Sequence, residues 1–525
     1  MEHACLRHTE VPHTSRLFLD FQYHFDRVSR FYSGSPADAQ SYARAAAQLD
    51  YPDARRAALV QALGKRNAGS PALARLVQPG TVAVVTGQQV GLFSGPAYTI
   101  YKALKAVRLA HELSVSGIPA VPVFWLATED HDFEEINHAF VFDTAHTPVT
   151  LRVENGGNGQ RPVGTIPLEA PPVDQLVQAF QGLPFGDRVG SMVREAYQPG
   201  VTFGAAFEAL LRRLLAPLDL LYLDPLDPAI REIAAPFLGG FLPAAPGLSR
   251  RLLERNQELA ADGYHAQVHV EPNTSLVFLL EDSRRIALRR QNGEYVSKER
   301  RYSTEELVDR AAALSPNALL RPVMQDYLLP TVAYIGGPAE LAYLAQSEVL
   351  YRELLGRMPV AVARTGFTLL DARSAKLLER YDLELPDVFH GGDELRERIA
   401  HRLTPVPLKQ SFAEARRDAA EAIAKLRGSL AGFDPTLAKA MDKSGNKVLY
   451  QFAKMERKTE REAMRRDTRA ADDSRYLSDL IYPEKHLQER YYSILPFLAK
   501  HGPDLIETLA EHVRLECPDH QVLVV

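Results

Sequence analysis

Three short polar segments carry the residue types that catalysis uses, and each follows an apolar run. The first is Gly87-Gln-Gln-Val-Gly91-Leu-Phe-Ser-Gly95-Pro96, which follows the β-branched run Thr81-Val-Ala-Val-Val-Thr86. Glycines between a strand and a helix let the backbone turn tightly and approach a ligand closely. A helix N-terminus adds free N–H groups and partial positive charge, which suit phosphate or carboxylate. Pro96 fits a first helical turn, where its missing N–H costs nothing. Gly87, Gln88, Gln89, Gly91, Ser94, Gly95 and Thr99 are the candidate contacts, with Lys102 as a nearby cation. Pro96 stands where a Walker A lysine belongs, and the glycines do not follow the dinucleotide fingerprint. Ser94 is out of register with Gly-x-Ser-x-Gly. A tight turn without a ligand is the plainer alternative.

The second segment is Glu129-Asp130-His131-Asp132, with Glu134, Glu135 and Asn137 close behind. Carboxylates around an imidazole raise its basicity, which suits a general base. The same set offers oxygen and nitrogen ligands to a divalent metal, so a metal-dependent hydrolase is one alternative; no residue is assigned to a metal. Acids that merely cap a surface helix are another. The third segment is Gly336-Gly337-Pro338-Ala339-Glu340, with Tyr343 one turn beyond Glu340. It also reads as an ordinary strand-to-helix turn.

The elements around these segments give them a common address. Thr81–Thr86 reads as a buried strand, and a helix follows in which Ile100, Ala103, Leu104 and Val107 share one face while Lys102, Lys105, Arg108 and Glu112 fall on another. A second apolar run, Ala120–Ala127, completes a βαβ unit, and such units build parallel sheets. The βα texture returns at Pro330–Ile335 and Ala339–Tyr351, with Val360–Ala363 as a further strand. All three polar segments then fall at the carboxyl edge of one sheet, the usual binding crevice of such folds. The expected fold class is α/β, a Rossmann-like parallel-sheet core with connecting insertions and an α-helical coiled-coil hairpin.

The expected organisation has five parts. Residues 1–144 hold N-terminal helices, Ser41–Leu49 and Ala54–Leu63 among them, and the first half of the core. Residues 145–317 form a connecting region with the turn cluster Asn155-Gly-Gly-Asn-Gly159, a core strand near 220–224, and a hairpin of Leu276–Leu280 with Arg285–Leu288. Residues 318–384 supply the second half of the core, 385–471 the coiled coil, and 472–525 a segment returning to the core. In the coiled coil Phe412, Ala415, Ala419, Ala422 and Leu426 form one seam. Gly428–Pro435 breaks it, and Leu437, Met441, Val448, Phe452 and Met455 form the second. The lysine-bearing Met441–Lys447 lies inside this hairpin, and the charge run Lys454–Arg469 reads as its solvated face.

The 525 residues carry a net charge of −5, which argues against a dedicated nucleic-acid binder. No window is apolar enough for a spanning helix, and Met1–Arg7 lacks a signal pattern, so a cytoplasmic protein is expected. Cys5 and Cys517 lie near opposite termini, too few for a disulfide framework or zinc cluster, and read as ordinary thiols of a reducing compartment.

Thr86–Lys102, Phe124–Asn137 and Arg321–Glu340 also resemble, in order, the signature blocks of the bacillithiol-biosynthesis cysteine-adding enzyme (BshC) family, as do His486–Arg490 and His520–Val522. The resemblance implies a carbon–nitrogen ligase that joins L-cysteine to the amine of glucosaminyl malate, and a homodimer formed through the coiled coil. By analogy with class I synthetases, ATP would activate the cysteine carboxylate as an adenylate, although Gly87–Gly91 stands where their His-x-Gly-His motif would be. On this reading Gly87–Pro96 and Lys102 hold phosphate or malate carboxylates, and Asp130 or His131 accepts the amine proton. Gln88, Gln89 and Asn137 orient polar groups, while Gly336, Gly337, Pro338, Glu340 and Tyr343 close the opposite wall. Glu129 and Asp132 complete the acidic loop. A non-catalytic coiled-coil scaffold is the remaining alternative.

Overall fold

The computed structural model describes residues 3–154 and 160–525, so the expected turn at 155–159 lies outside the described residues. In chain order the strands are β1 (His3–Leu6), β2 (Val82–Gln89), β3 (Ala120–Ala127), β4 (His138–Phe142), β5 (Pro148–Arg152), β6 (Leu221–Leu223), β7 (Thr274–Glu281) and β8 (Arg284–Gln291). They continue with β9 (Glu294–Val296), β10 (Arg301–Tyr302), β11 (Leu314–Pro316), β12 (Thr331–Gly336), β13 (Val360–Ala363), β14 (Phe367–Leu370) and β15 (His520–Val524).

The core sheet has the order β13-β12-β2-β3-β6, and every neighbouring pair is parallel. Its strands are apolar runs because both faces are covered. Ala83, Val85 and Trp125 pack into one cluster with the Pro228–Ala261 helix, while Val82 and Val84 pack on the other side against Ala106 and Leu109. The chain leaves β2 toward β3 and β6, then returns to the opposite side of β2 with β12 and β13. The direction reverses between β2 and β12, and the carboxyl ends flanking such a reversal leave an open crevice.

The elements beside the polar segments differ in detail from their sequence pattern. Strand β2 does not stop at Thr86 but continues to Gln89, pairing Gly87 with Trp125 and Gln89 with Ala127. A Cβ on Gly87 would meet the Trp125 carbonyl oxygen at 2.8 Å, so glycine serves close strand approach here. Both lysines of the Tyr98–Val115 helix are buried: Lys102 is 2% exposed and Lys105 4%. The C-terminal segment covers that side, and Lys105 Nζ donates to the Arg514 carbonyl at 2.7 Å.

The expected β7–β8 hairpin forms and belongs to an antiparallel sheet of order β10-β9-β8-β7-β11. Strand β6 pairs with β3 in the core sheet. A small sheet of order β1-β15-β14 joins the two ends of the chain. The helical hairpin consists of Val406–Phe433 and Pro435–Arg466. Its break is narrower than Gly428–Pro435: the first helix runs through both glycines and reverses at Asp434, whose side chain accepts the Thr436 N–H. Part of the expected seam faces outward, since Leu426, Leu437, Val448 and Met455 are 43–51% exposed. Among the described residues no helix is long and apolar enough to cross a membrane.

Candidate active site

A crevice of about 620 Å³ opens at the carboxyl edge beside β2 and β12. All three polar segments reach it. Gly87, Gln88 and Gln89 come from the end of β2, and Glu129, Asp130 and His131 follow β3. Gly337, Pro338, Glu340 and Tyr343 come from the start of the Pro338–Leu355 helix. Lys102 lines it from the Tyr98–Val115 helix.

Lys102 braces the floor. Its Nζ donates to the Gly87 carbonyl at 2.8 Å and to Gln88 Oε1 at 2.9 Å, and it forms an ion pair with Glu340. Three acceptors match the three N–H bonds of an ammonium. Burial pulls the Lys102 pKa down, and the Glu340 charge opposes that pull. For Glu340 burial works to raise the pKa, but Lys102, the Gly337 N–H and the Tyr334 hydroxyl outweigh it and the net direction is down. Tyr334 donates to Glu340 Oε1 at 2.7 Å and the Gly337 N–H donates to Oε2 at 2.8 Å.

On the facing wall Asp130 accepts from Gln89 Nε2 at 2.7 Å and from the His131 N–H at 2.7 Å. Burial acts to raise its pKa, yet the His131 side chain, Gln89, Arg285 and the His131 N–H hold the carboxyl below the usual range. Arg285 Cζ lies 3.9 Å from the Phe278 ring centroid, and the guanidinium donates to Ser315 Oγ at 3.0 Å and the Pro316 carbonyl at 2.8 Å. Its Nη1 lies 3.1 Å from His131 Nδ1 and 3.4 Å from Asp130 Oδ1. His131 Nδ1 also lies 3.5 Å from Asp130 Oδ1, so it sits between a guanidinium donor and a carboxylate. Glu129 is 3% exposed; Oε2 accepts from Ser315 Oγ at 2.8 Å, while Oε1 has no hydrogen-bond partner.

The cations that dominate this crevice were not picked out from the sequence. Arg321 donates to Gln325 Oε1 at 2.9 Å and to the hydroxyls of Tyr334 and Tyr343 at 3.3 Å, with no ion pair among the described residues. Burial works against its charge, but the two tyrosines and Glu340 more than offset it and the pKa is raised. Arg364 lies beside it, clamped by Glu489 at 2.8 and 2.5 Å. Arg490 is exposed at the mouth and makes no ion pair among the described residues. Only Arg321 and Arg490 belonged to quoted sequence blocks, and neither stood beside a local motif that marks a ligand.

The remaining candidates sit elsewhere. Gly91, Ser94 and Gly95 form a buried turn behind the crevice, in which Phe93, Ser94 and Gly95 have φ of 52°, 73° and 64°. Tyr197 packs on Phe93, and Ser493 Oγ donates to the Phe93 carbonyl at 2.9 Å. At the following helix start the Ala97 N–H donates to the Tyr492 carbonyl at 2.8 Å, and the buried Thr99 Oγ1 has no hydrogen-bond partner. Asp132 caps the Phe133–Ile136 helix, accepting the Glu135 N–H at 3.4 Å. Asn137 is buried between Glu134 and His138, and Gly336 ends β12 with its carbonyl accepting the Arg364 N–H at 2.8 Å. The glycine-rich turn therefore shapes the core, while ligand-facing groups come from the strand before it. Among the described residues no three His, Cys, Asp or Glu side chains converge on a metal position.

Fold and crevice together define a Rossmann-like protein with a cationic switch-point site and an appended coiled-coil hairpin. Residues 1–365 match the N-terminal Rossmann-like domain of the bacillithiol-biosynthesis protein BshC, and residues 367–525 match its C-terminal coiled-coil domain. A relative from Solibacter usitatus with the name "Putative cysteine ligase BshC" is 58% identical over 525 residues, all of both chains. Relatives of the same name from Koribacter versatilis and Salinibacter ruber are 38% and 31% identical, the first covering 99% of each chain and the second 97% of this chain and 96% of its own. The chain belongs to the BshC family of bacillithiol biosynthesis.

Proposed function

We propose that this chain is a cytoplasmic ligase that joins L-cysteine to the amine of glucosaminyl malate. The observation that carries this reading is Arg321. A charged guanidinium whose hydrogen-bond partners are all neutral, set in the crevice wall, suits a substrate carboxylate, which it can bind through two parallel N–H bonds. Glucosaminyl malate brings two carboxylates. The unpartnered Glu129 Oε1 suits the cysteine ammonium.

In the reaction the sugar amine forms a bond to the cysteine carboxyl carbon, a carboxyl oxygen leaves, and the amine gives up a proton. His131 takes that proton at Nδ1 as Arg285 shifts its Nη1 fully to Asp130 Oδ1. Asp130, held ionised, positions rather than accepts. Lys102 and Glu340 keep the ends of β2 and β12 at fixed separation beneath the substrates. ATP, when bound, supplies the leaving group that makes the carboxylate an acyl donor, and Arg490 at the mouth suits its phosphates. The exposed apolar row of the coiled coil, with Phe433 at 83% exposed, suits a second copy of the chain.

The test is complementation of a strain lacking its own enzyme for this step. Arg321→Met and His131→Gln, each soluble and folded by circular dichroism, should leave the cells without bacillithiol. Wild-type thiol levels from both variants would sink the assignment.

A further inference from the structure

Cys5 and Cys517 are the chain's two cysteines, and folding brings them together. Their sulfurs lie 3.5 Å apart although the residues are 512 positions apart. Cys5 sits on β1, exposed, and Cys517 is half-buried just ahead of β15. The two strands pair antiparallel, with Cys5 opposite Gln521. The segment bearing Cys517 is anchored beyond this pairing. Gln22 Nε2 donates to the Pro518 carbonyl at 2.8 Å, the Tyr23 hydroxyl donates to Asp519 at 2.7 Å, and Lys105 holds the Arg514 carbonyl. The approach of the two sulfurs is therefore built by fixed neighbours on both sides, and a small movement closes it to the bond length of about 2 Å.

We propose that Cys5 and Cys517 form a reversible intrachain disulfide by exchange with the disulfide of a small thiol. The Cys517 thiolate attacks one sulfur of the small disulfide, forms a mixed disulfide and expels one small thiolate. Cys5 then loses its proton, attacks the Cys517 sulfur and expels the second. Two protein thiols are oxidised, the small disulfide is reduced to two thiols, and the two protons end on those thiols. Burial, with the Cys517 sulfur beside it, pushes the Cys5 thiol up to about 11, which fits the second, resolving position. The bridge would tie the N-terminal strand to β15. His520 on β15 bonds Thr368 at 2.8 Å, so the clasp bears on the small sheet behind Arg364 and Glu489. This inference does not depend on the reaction proposed above.

The test treats the full-length, reduced protein with cystine and follows intact mass, non-reducing peptide maps and thermal midpoint. The expected result is a loss of two hydrogens, a Cys5–Cys517 linked peptide, and a midpoint that rises and then falls back with dithiothreitol. Cys5→Ser and Cys517→Ser should each stop at a mixed disulfide or a free thiol, with no rise. Wild-type protein that ends with two separate cysteine adducts, two free thiols, or a disulfide between chains overturns the proposal.

Discussion

Lys102 and Glu340, from the two halves of the core, form an ion pair, the lysine buried and the carboxylate half-buried, beneath the point where the strand order reverses. Their backbones follow β2 and β12, so the pair joins the strands whose carboxyl ends frame the crevice. Removing one member of a buried pair leaves the other charged and unsolvated, at a cost of about 3–5 kcal/mol. Lys102→Met should therefore lower stability in urea unfolding, by less than that because Glu340 keeps some solvent and the Tyr334 and Gly337 donors, and Lys102→Met with Glu340→Gln should recover part of the loss. Losses in Lys102→Met and Glu340→Gln that simply add in the double variant would show that the pair is not coupled.

Proton acceptance by His131 makes a separate prediction. His131→Gln should lower kcat about 100-fold or more while changing KM little, because the ring acts on the reacting amine rather than on binding. Asp130→Asn should cost less, since it loosens Arg285 and the imidazole it touches without removing either. An unchanged kcat for His131→Gln removes the histidine from the chemistry.

Much of this was legible in the sequence because apolar runs record burial. Thr81–Thr86, Ala120–Ala127 and Pro330–Ile335 announce parallel strands covered on both faces, and the polar segments behind them must then share an edge. What a strand-to-helix glycine run does was not legible. Gly87 and Gly91 have the same side chain, yet one permits close approach to Trp125 in the sheet and the other shapes a buried turn under Tyr197. The burial of Lys105 was not legible because helical periodicity cannot see a C-terminal segment folding back from another part of the chain. For the same reason Cys5 and Cys517 read as unrelated. Arg285 could not be found from local pattern, since its partners Asp130, Ser315 and Pro316 are brought to it only by tertiary structure.

Acid sensitivity follows from three histidines, His146 buried and His8 and His501 half-buried. His8, His146 and His501 are each lowered to about 4 from 6.5, chiefly by burial. The unfolded chain therefore binds protons at these positions below about 6.5 that the folded chain refuses until about 4. Stability should fall as pH drops across that window, read as a falling urea midpoint. His146 accepts from Lys500 Nζ at 2.7 Å, so His146→Gln keeps an acceptor, removes the titration and should make the fall less steep. An identical slope in the variant would assign the loss to other groups. Asp371, held down by Lys500 and Tyr476 against the opposing effect of burial, adds its own loss only as pH falls below about 3.8.

The coiled coil predicts a dimer. Replacing Leu426, Phe433, Leu437 and Val448 by serine removes exposed apolar side chains and no buried ones. Sedimentation should show the wild-type chain as a dimer and this variant as a monomer of unchanged helix content. A monomeric wild type at micromolar concentration speaks against the second copy as the partner of that face.

The central claim is tested most directly by reconstitution. Purified full-length protein is given L-cysteine, glucosaminyl malate and each nucleoside triphosphate in turn, and the thiol products are weighed by mass spectrometry. The account predicts the cysteine amide of glucosaminyl malate with ATP, and its loss in Arg321→Met. Folded protein that yields no such amide with any nucleotide contradicts it.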